Sequence, residues 1–395
     1  MSDNKTDKLI PQKVRGRSFD PDKTIIDWYI DRRCNFHCSY CNPAIHDNWS
    51  EHNDLETLKS YALKICKSVN TKDIMFNLVG GEPLINPNIL GLLEYLYELK
   101  KNRSSGDIKI FTVTNLSLPE KKLLGLIEYF DSIVASLHFQ FIYKAPEKYL
   151  KKILAVYDHI ESSNKDTYFR VRFMLAPHVI GRVQDFEKLL KKNLNGRNLK
   201  IDYRRVKMSR TADLKRFKTQ DESDKALWHW KKDITDEQIE QYRLSEIEAR
   251  KQEQKTIGRD PQDDHYNEDE HKYIQSRMPE AMKSIIFTDQ HQEFHRYSSA
   301  EMTYNRVNEF KGYLCSAGTR YGKLDHLGRL FRSNCMHANE FIDLNTCEDH
   351  FDFHTQPVVC EMTKCQDLLD LTQPKIHPSL EPQELEDLIS STDFK

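Results

Sequence analysis

"TIIDWYIDRRCNFHCSYCN" (Thr24–Asn42) joins a short apolar run to a loop carrying Cys34, Cys38 and Cys41 in C-x3-C-x2-C spacing. β-Branched and aromatic residues make the run a strand, and the thiols follow its end directly. Three thiolates are one short of a closed structural metal site. Either Cys66 or His37 completes a zinc knuckle, or three corners of an iron–sulfur cube are held and one iron keeps an exchangeable position. Cys66 lies beside the apolar stripe of a helix, where a small core residue is the plainer reading.

Five similar runs follow: "DIMFNLV" (73–79), "IKIFTVT" (108–114), "DSIVASLHF" (131–139), "TYFRVRFML" (167–175) and "LKIDYRRV" (199–206). Helix-period segments separate them. In the first, Leu55, Leu58, Ala62 and Ile65 recur at steps of three and four behind Asp54, a suitable N-cap. Pro87 opens another amphipathic run. Six β–α units with right-handed crossovers predict an α/β fold, a partial (β/α)6 TIM-like barrel with chemistry at the C-terminal strand ends. The cysteine loop sits at such an end.

A chain of 395 residues is long enough for more than one domain, yet only 38% of it is hydrophobic. With a mean hydropathy of −0.72, some long segment must be solvated. Residues 207–309 supply it, with charged stretches such as "DLKRFKTQDESDK" and "GRDPQDDHYNEDEHK". "TDEQ" (235–238) is a capping-box pattern opening a surface helix to about Gln254. This charged, largely helical insertion is read as solvated surface, with a substrate lid as the alternative. The expected units are an N-terminal extension (1–23), the barrel (24–206), the insertion or linker (207–309), a small cysteine-rich α+β unit (310–372) and a C-terminal tail (373–395).

Net charge is −2, so nothing global favours nucleic acid or an anionic membrane, and no basic–aromatic stripe is evident. Without an apolar leader or an 18-residue apolar window, the chain is expected in the cytoplasm. There, nine cysteines are metal ligands or redox groups before they are disulfides.

After the second strand stands "GGEP", Gly80–Pro83. Glycines let backbone approach closely, and the Glu offers a carboxylate to an amine. Together with the cysteine loop, this resembles the radical S-adenosylmethionine (radical SAM) superfamily, which carries CxxxCxxC after the first strand and GGE after the second. The resemblance spans about 24–206. It implies a 4Fe-4S cluster on Cys34, Cys38 and Cys41 whose open iron binds S-adenosylmethionine. Reductive cleavage of that cofactor gives a 5′-deoxyadenosyl radical, which takes hydrogen from an unactivated carbon. It also implies a reductant such as flavodoxin or ferredoxin. Tyr40 matches the position near the adenine, and Gly80, Gly81, Glu82 and Pro83 match the segment at the methionyl amine. Ser136 and Arg172 match groups for the ribose and carboxylate, with ordinary barrel-lining polarity as the alternative. Two departures are noted. Leu116 stands where relatives often have Gly, and Asp31-Arg32-Arg33 where they commonly have a Thr.

Downstream, "FKGYLCSAGTRYGKLDHLGRLFRSNC" and "VVCEMTKC" resemble the twitch or SPASM auxiliary domain, with "DHLG" as a turn and "RLFRS" as a return strand. That resemblance implies a second, auxiliary 4Fe-4S cluster on Cys315, Cys335, Cys360 and Cys365, with zinc as the alternative and Cys347 a spare thiol. The expected enzyme acts on a polar small molecule such as a sugar, cyclitol or nucleotide, and passes an electron to the auxiliary cluster. The alternative is a peptide- or protein-modifying maturase. Only about 23 residues precede the first strand, too few for a peptide-binding winged-helix module, which favours the small molecule. No general acid or base is assigned; His138, Gln140 and Arg204 are pocket-lining candidates.

Overall fold

The computed structural model describes residues 9–36, 38, 40–41, 46–163, 166–176, 179–206, 237, 241, 244, 266–277, 283–335, 341–353, 356–365 and 367–391. The surface helix expected from Thr235 to Gln254 falls outside them but for Glu237, Gln241 and Leu244.

After β1 (Lys13–Gly16), the barrel strands are β2 (Lys23–Tyr29), β3 (Asp73–Val79), β4 (Ile108–Thr114), β5 (Ser132–Leu137), β6 (Tyr168–Leu175) and β7 (Lys200–Arg205). All six pair in parallel and in chain order. Parallel pairing needs long crossovers, and helices fill them: α1 (Leu55–Ser68), α2 (Ile89–Asn102), α3 (Glu120–Ile127), the short α4 (Phe139–Ile142) with α5 (Pro146–Ser162), and α6 (Ile180–Leu194). Asp54 caps α1 as expected, its carboxylate accepting from Thr57 N at 2.9 Å. Alternate strand residues such as Ile26, Trp28, Phe76, Leu78, Ile110 and Val171 join one core with Leu58, Ile65, Leu92 and Ile153 of the helices. The other face carries Asp27, Asn77, Ser136, Arg172 and Asp202.

The remaining strands are β8 (Ile285–Thr288), β9 (Phe294–Tyr297), β10 (Leu314–Cys315), β11 (Tyr321–Leu324), β12 (Arg329–Phe331), β13 (Phe341–Asp343), β14 (Val358–Val359) and β15 (Lys375–Ile376). The hairpin expected around "DHLG" is β11–β12, with Gly328 at φ +81 in its turn. It does not stay within a separate C-terminal unit. β11 pairs in parallel with β2, so the large sheet runs β13-β12-β11-β2-β3-β4-β5-β6-β7.

A second sheet, β14-β10-β15-β1-β8-β9, is antiparallel throughout. It draws strands from 1–23, 207–309, 310–372 and 373–395 alike, which corrects those sequence boundaries as structural units. The extension is a central strand, and the tail supplies β15 and the helix Pro382–Ser390. Runs of two to four residues show no periodicity, and the partners of β1, strands β8 and β15, lie hundreds of residues away. Arg15 of β1 is buried and donates to the carbonyls of Leu388, at 3.1 Å, and Ser391. Among the described residues no helix is long and apolar enough to cross a membrane.

Val14 is fully buried in the core that holds Cys315, Cys360 and Cys365. Val14→Asp should therefore destabilise the protein by at least about 3 kcal/mol, the cost of an unpaired buried charge. Denaturant unfolding checks this; a change within about 0.5 kcal/mol, typical of surface positions, would mean residues 13–16 are loosely attached.

Candidate metal centres

The ladder between β2 and β3 continues past both strands. Ile30 N donates to Val79 O at 3.2 Å, Gly81 N to Asp31 O at 3.2 Å, and Glu82 N to Arg33 O at 2.9 Å. A Cβ at Gly80 would overlap the carbonyl oxygen of Asp31, and one at Gly81 those of Arg32 and Arg33. Gly80 also has φ +127, a left-handed value that disfavours side chains. The glycines thus let backbone approach backbone at the stem of the cysteine loop.

Asp31-Arg32-Arg33 becomes a set of braces. Arg32 donates from Nε and NH2 to Asp47 Oδ2 at 2.9 and 2.8 Å, with its guanidinium 5.4 Å from the Trp49 ring centroid. Burial opposes the Asp47 carboxylate, yet hydrogen bonds from Ser50 and the charge of Arg32 hold its pKa below the usual range. Cys34 N donates to Asp47 O at 2.7 Å, so this ion pair fixes the start of the thiol loop. Asp31 is held by His52 Nδ1 at 2.7 Å and Asn86 Nδ2 at 2.9 Å.

Cys34 and Cys38 are buried beside Phe36, with Tyr40, Cys41, Phe141 and Tyr149 packed around them. Burial pushes both thiols up, and mutual repulsion with Cys41 adds to it. Such mutual effects mean the three thiols share one small volume. Asn115 Nδ2 reaches Cys34 Sγ at 3.9 Å. His138 Nδ1 lies 3.4 Å from Cys38 Sγ and 2.6 Å from the Tyr40 hydroxyl, and burial lowers its pKa to about 4. His138 is therefore a neutral neighbour of the thiols. Cys66 lies apart on α1, and His37 is outside the described residues.

Glu82 is buried, and burial raises its pKa to about 7. Its Oε1 accepts from Thr114 Oγ1 at 2.7 Å and Leu84 N at 3.3 Å, its Oε2 from Asn115 N at 2.6 Å. No cation pairs with it among the described residues. Pro83 begins the 3-10 turn Pro83–Ile85 behind it. Leu116 keeps the left-handed turn that a Gly would favour, at φ +56, and its carbonyl accepts from Lys152 Nζ at 2.8 Å.

Ser136, Arg172 and Asp202 lie in one row across β5, β6 and β7. Ser136 is buried, and its hydroxyl makes no hydrogen bond among the described residues. Arg172 donates from Nε at 2.8 Å and NH2 at 2.7 Å to Asp202 Oδ2. Arg204 lies 3.8 Å from Asp367.

The second set gathers in the smaller sheet. Cys315, Cys360 and Cys365 are buried in one apolar cluster, with Cys335 packed against it. Burial raises all four thiols, and Cys335, Cys360 and Cys365 are each raised further by at least one of the others. Cys347 stands apart, near Lys64, Asp343 and Asp349. Among the described residues, no three His, Cys, Asp or Glu side chains converge on a single-ion position. Sequence reading missed Asp47, Asn115 and the buried Lys375 opposite Cys315. The surrounding sequences "IHDNWS" and "TQPKIH" are themselves polar and mark neither Asp47 nor Lys375 out.

Comparison with known proteins adds three findings. Over 99 residues the chain is 31% identical to GTP 3′,8-cyclase of Campylobacter lari strain RM2100, a match covering 25% of this chain and 29% of that protein. The structure described as native anSMEcpe with bound AdoMet superposes over 82% of this chain and 78% of its own, at 11% identity and a TM-score of 0.42. That of BtrN in complex with AdoMet and 2-DOIA covers 38% of this chain and 56% of its own, at 19% identity and a TM-score of 0.28. Residues 28–155, which hold the thiol loop, the Gly80–Pro83 segment and strands β3 to β5, match the family model of the Radical SAM superfamily.

Proposed function

We propose that this chain cleaves S-adenosylmethionine reductively and uses the resulting 5′-deoxyadenosyl radical to take hydrogen from a polar small molecule, a sugar, cyclitol or nucleotide. The partition of the thiols carries this reading. Cys34, Cys38 and Cys41 pack in one cluster and Cys315, Cys335, Cys360 and Cys365 in another, while Cys66 and Cys347 pack against the barrel core outside both. Three thiols fit a four-iron cluster with one open iron, and four fit a fully ligated one suited to electron transfer.

Within this reading, Cys34, Cys38 and Cys41 would hold the first cluster, which would supply the electron that splits the sulfonium. Glu82 is a buried carboxylate with lone-pair capacity left beside its three donors, and an amine N–H is the partner that would offset its burial. Gly80, Gly81 and Pro83 hold it there, and Tyr40 is placed by His138. Ser136 and Arg172 face the barrel interior, with Asp202 fixing the guanidinium. The polarity of that face (Asp27, Asn77, Ser136, Arg172 and Asp202) favours a hydroxyl-rich or charged substrate over an apolar one. Adding sugars, nucleotides and peptides singly, with dithionite as reductant, tests the class: a sugar or nucleotide should raise the 5′-deoxyadenosine yield. A rise with peptides alone would favour a maturase.

Protein reconstituted without oxygen should hold about eight irons, and the Cys34/Cys38/Cys41→Ala variant about four. Zinc in the second site, or unchanged iron in the triple variant, would overturn the two-cluster assignment.

Glu82→Gln removes the charge while keeping an oxygen for Thr114 and Leu84. S-adenosylmethionine affinity should fall roughly ten- to a hundredfold, matching about 1.5–3 kcal/mol for a charge-assisted hydrogen bond. Iron content should hold. Calorimetric titration reads the affinity, and an unchanged value would reduce Glu82 to a brace for Asn115.

A further inference from the structure

We propose that Lys375 is the fixed counter-charge of the four-thiol site, a buried ammonium that makes a cluster held by Cys315, Cys335, Cys360 and Cys365 easier to reduce. This rests on reading those four thiols as cluster ligands. Lys375 lies on β15 directly opposite Cys315 of β10 and is only 1% exposed. Its Nζ donates to the carbonyl oxygen of Asp370 and, at 2.8 Å, to that of Gln373, and stands 5.4 Å from the Phe310 ring centroid. An ammonium has three donors, so one remains. No carboxylate lies within ion-pair distance of it among the described residues. Phe310, which this ammonium faces, packs in the same buried cluster as Cys315, Cys360 and Cys365. A buried cation without an acidic partner is otherwise costly.

The consequence is electrostatic. Four thiolates leave a four-iron cluster with net negative charge, and one-electron reduction adds another. Net charge and hydrogen bonds to sulfur are among the factors that set such potentials. A cation held by backbone carbonyls cannot swing away, so its field acts on both oxidation states and favours the reduced one.

The test is a redox titration of the anaerobically reconstituted full chain with dithionite, followed by electron paramagnetic resonance. The Cys34/Cys38/Cys41→Ala variant identifies which signal belongs to the second cluster. Lys375→Met removes the charge and keeps the volume; Lys375→Gln also keeps donors for the two carbonyls. Both should retain about eight irons. Both should shift the second cluster's reduction equilibrium at least about tenfold toward the oxidised form, 59 mV for one electron, with the first cluster unmoved. Unchanged potential with full iron would sink the proposal. So would folded variants that keep only about four irons, since Lys375 would then serve assembly. Failure of both variants to fold would mark Lys375 as structural and overturn it too. A wild-type protein with about four irons and no second signal would instead remove the underlying cluster reading.

Discussion

The close approach of Asp31–Arg33 to Gly80–Glu82 sets the position of everything at the first centre. Parallel strands usually splay at their ends, where the chain turns into crossovers. Here the β2–β3 ladder runs on for several residues, because Gly80 and Gly81 present no Cβ to the facing carbonyls. The separation between the thiol loop and Glu82 is therefore fixed by backbone hydrogen bonds rather than by mobile side chains. Glu82 then reaches the end of β4 through Thr114 and Asn115, and Asn115 returns to Asn35 at 3.1 Å and toward Cys34. Three strand ends are closed into one circuit. A functional group held this way loses little entropy when a ligand arrives.

The two thiol groups differ in how their charge is balanced. Among the described residues, the side chains within hydrogen-bond reach of Cys34 and Cys38 are neutral: Asn115 and His138, the latter joined to Tyr40. On the proposed reading, negative charge on those thiols would be met by the cluster iron and by the sulfonium cofactor. The second group has Lys375 built in. A site proposed to bind a sulfonium would gain from neutral neighbours, whereas one closed to ligands has no such constraint. The difference matches the open and closed ligand sets assigned to the two groups.

The barrel was legible because its signal is local. Each of the six strands is a run of β-formers long enough to stand out, and the expected and observed ends differ by at most two residues. The smaller sheet was not legible. β10, β14 and β15 are two residues long, and β1 pairs Lys13 with Ile376, which no pattern near residue 13 announces. At the site, the cysteines and GGEP were readable as spacing. Their supports were not, since Arg32 meets Asp47 fifteen residues on and Asp31 meets Asn86 fifty-five residues on. Leu116 shows how a substitution can hide continuity: the turn survives without Gly because Lys152 grips the carbonyls of Leu116, Ser117 and Leu118.

The two centres are also tied to each other, through Asp27. This buried carboxylate on β2 accepts from Asn77 at 2.7 Å, Tyr321 at 2.8 Å and Asn334 at 3.0 Å. Burial raises its pKa and Asp367 adds to that, while the three donors oppose it. Asn334 is the residue before Cys335, and its backbone N–H donates to Asp370 at 3.1 Å. β2 itself leads into the loop of Cys34. One strand therefore carries the first thiol group at its end and grips the second through a side chain in its middle. Removing the Asp27 acceptor would take the acceptor from the buried Asn77 amide and Tyr321 hydroxyl, at about 1–3 kcal/mol for each, while Asn334 would keep Asp367 at 3.2 Å. The barrel interior that would receive a substrate lies between these two anchorages. Its polarity is thus part of what holds the centres in register, and it limits how far the interior can be reshaped for a different substrate.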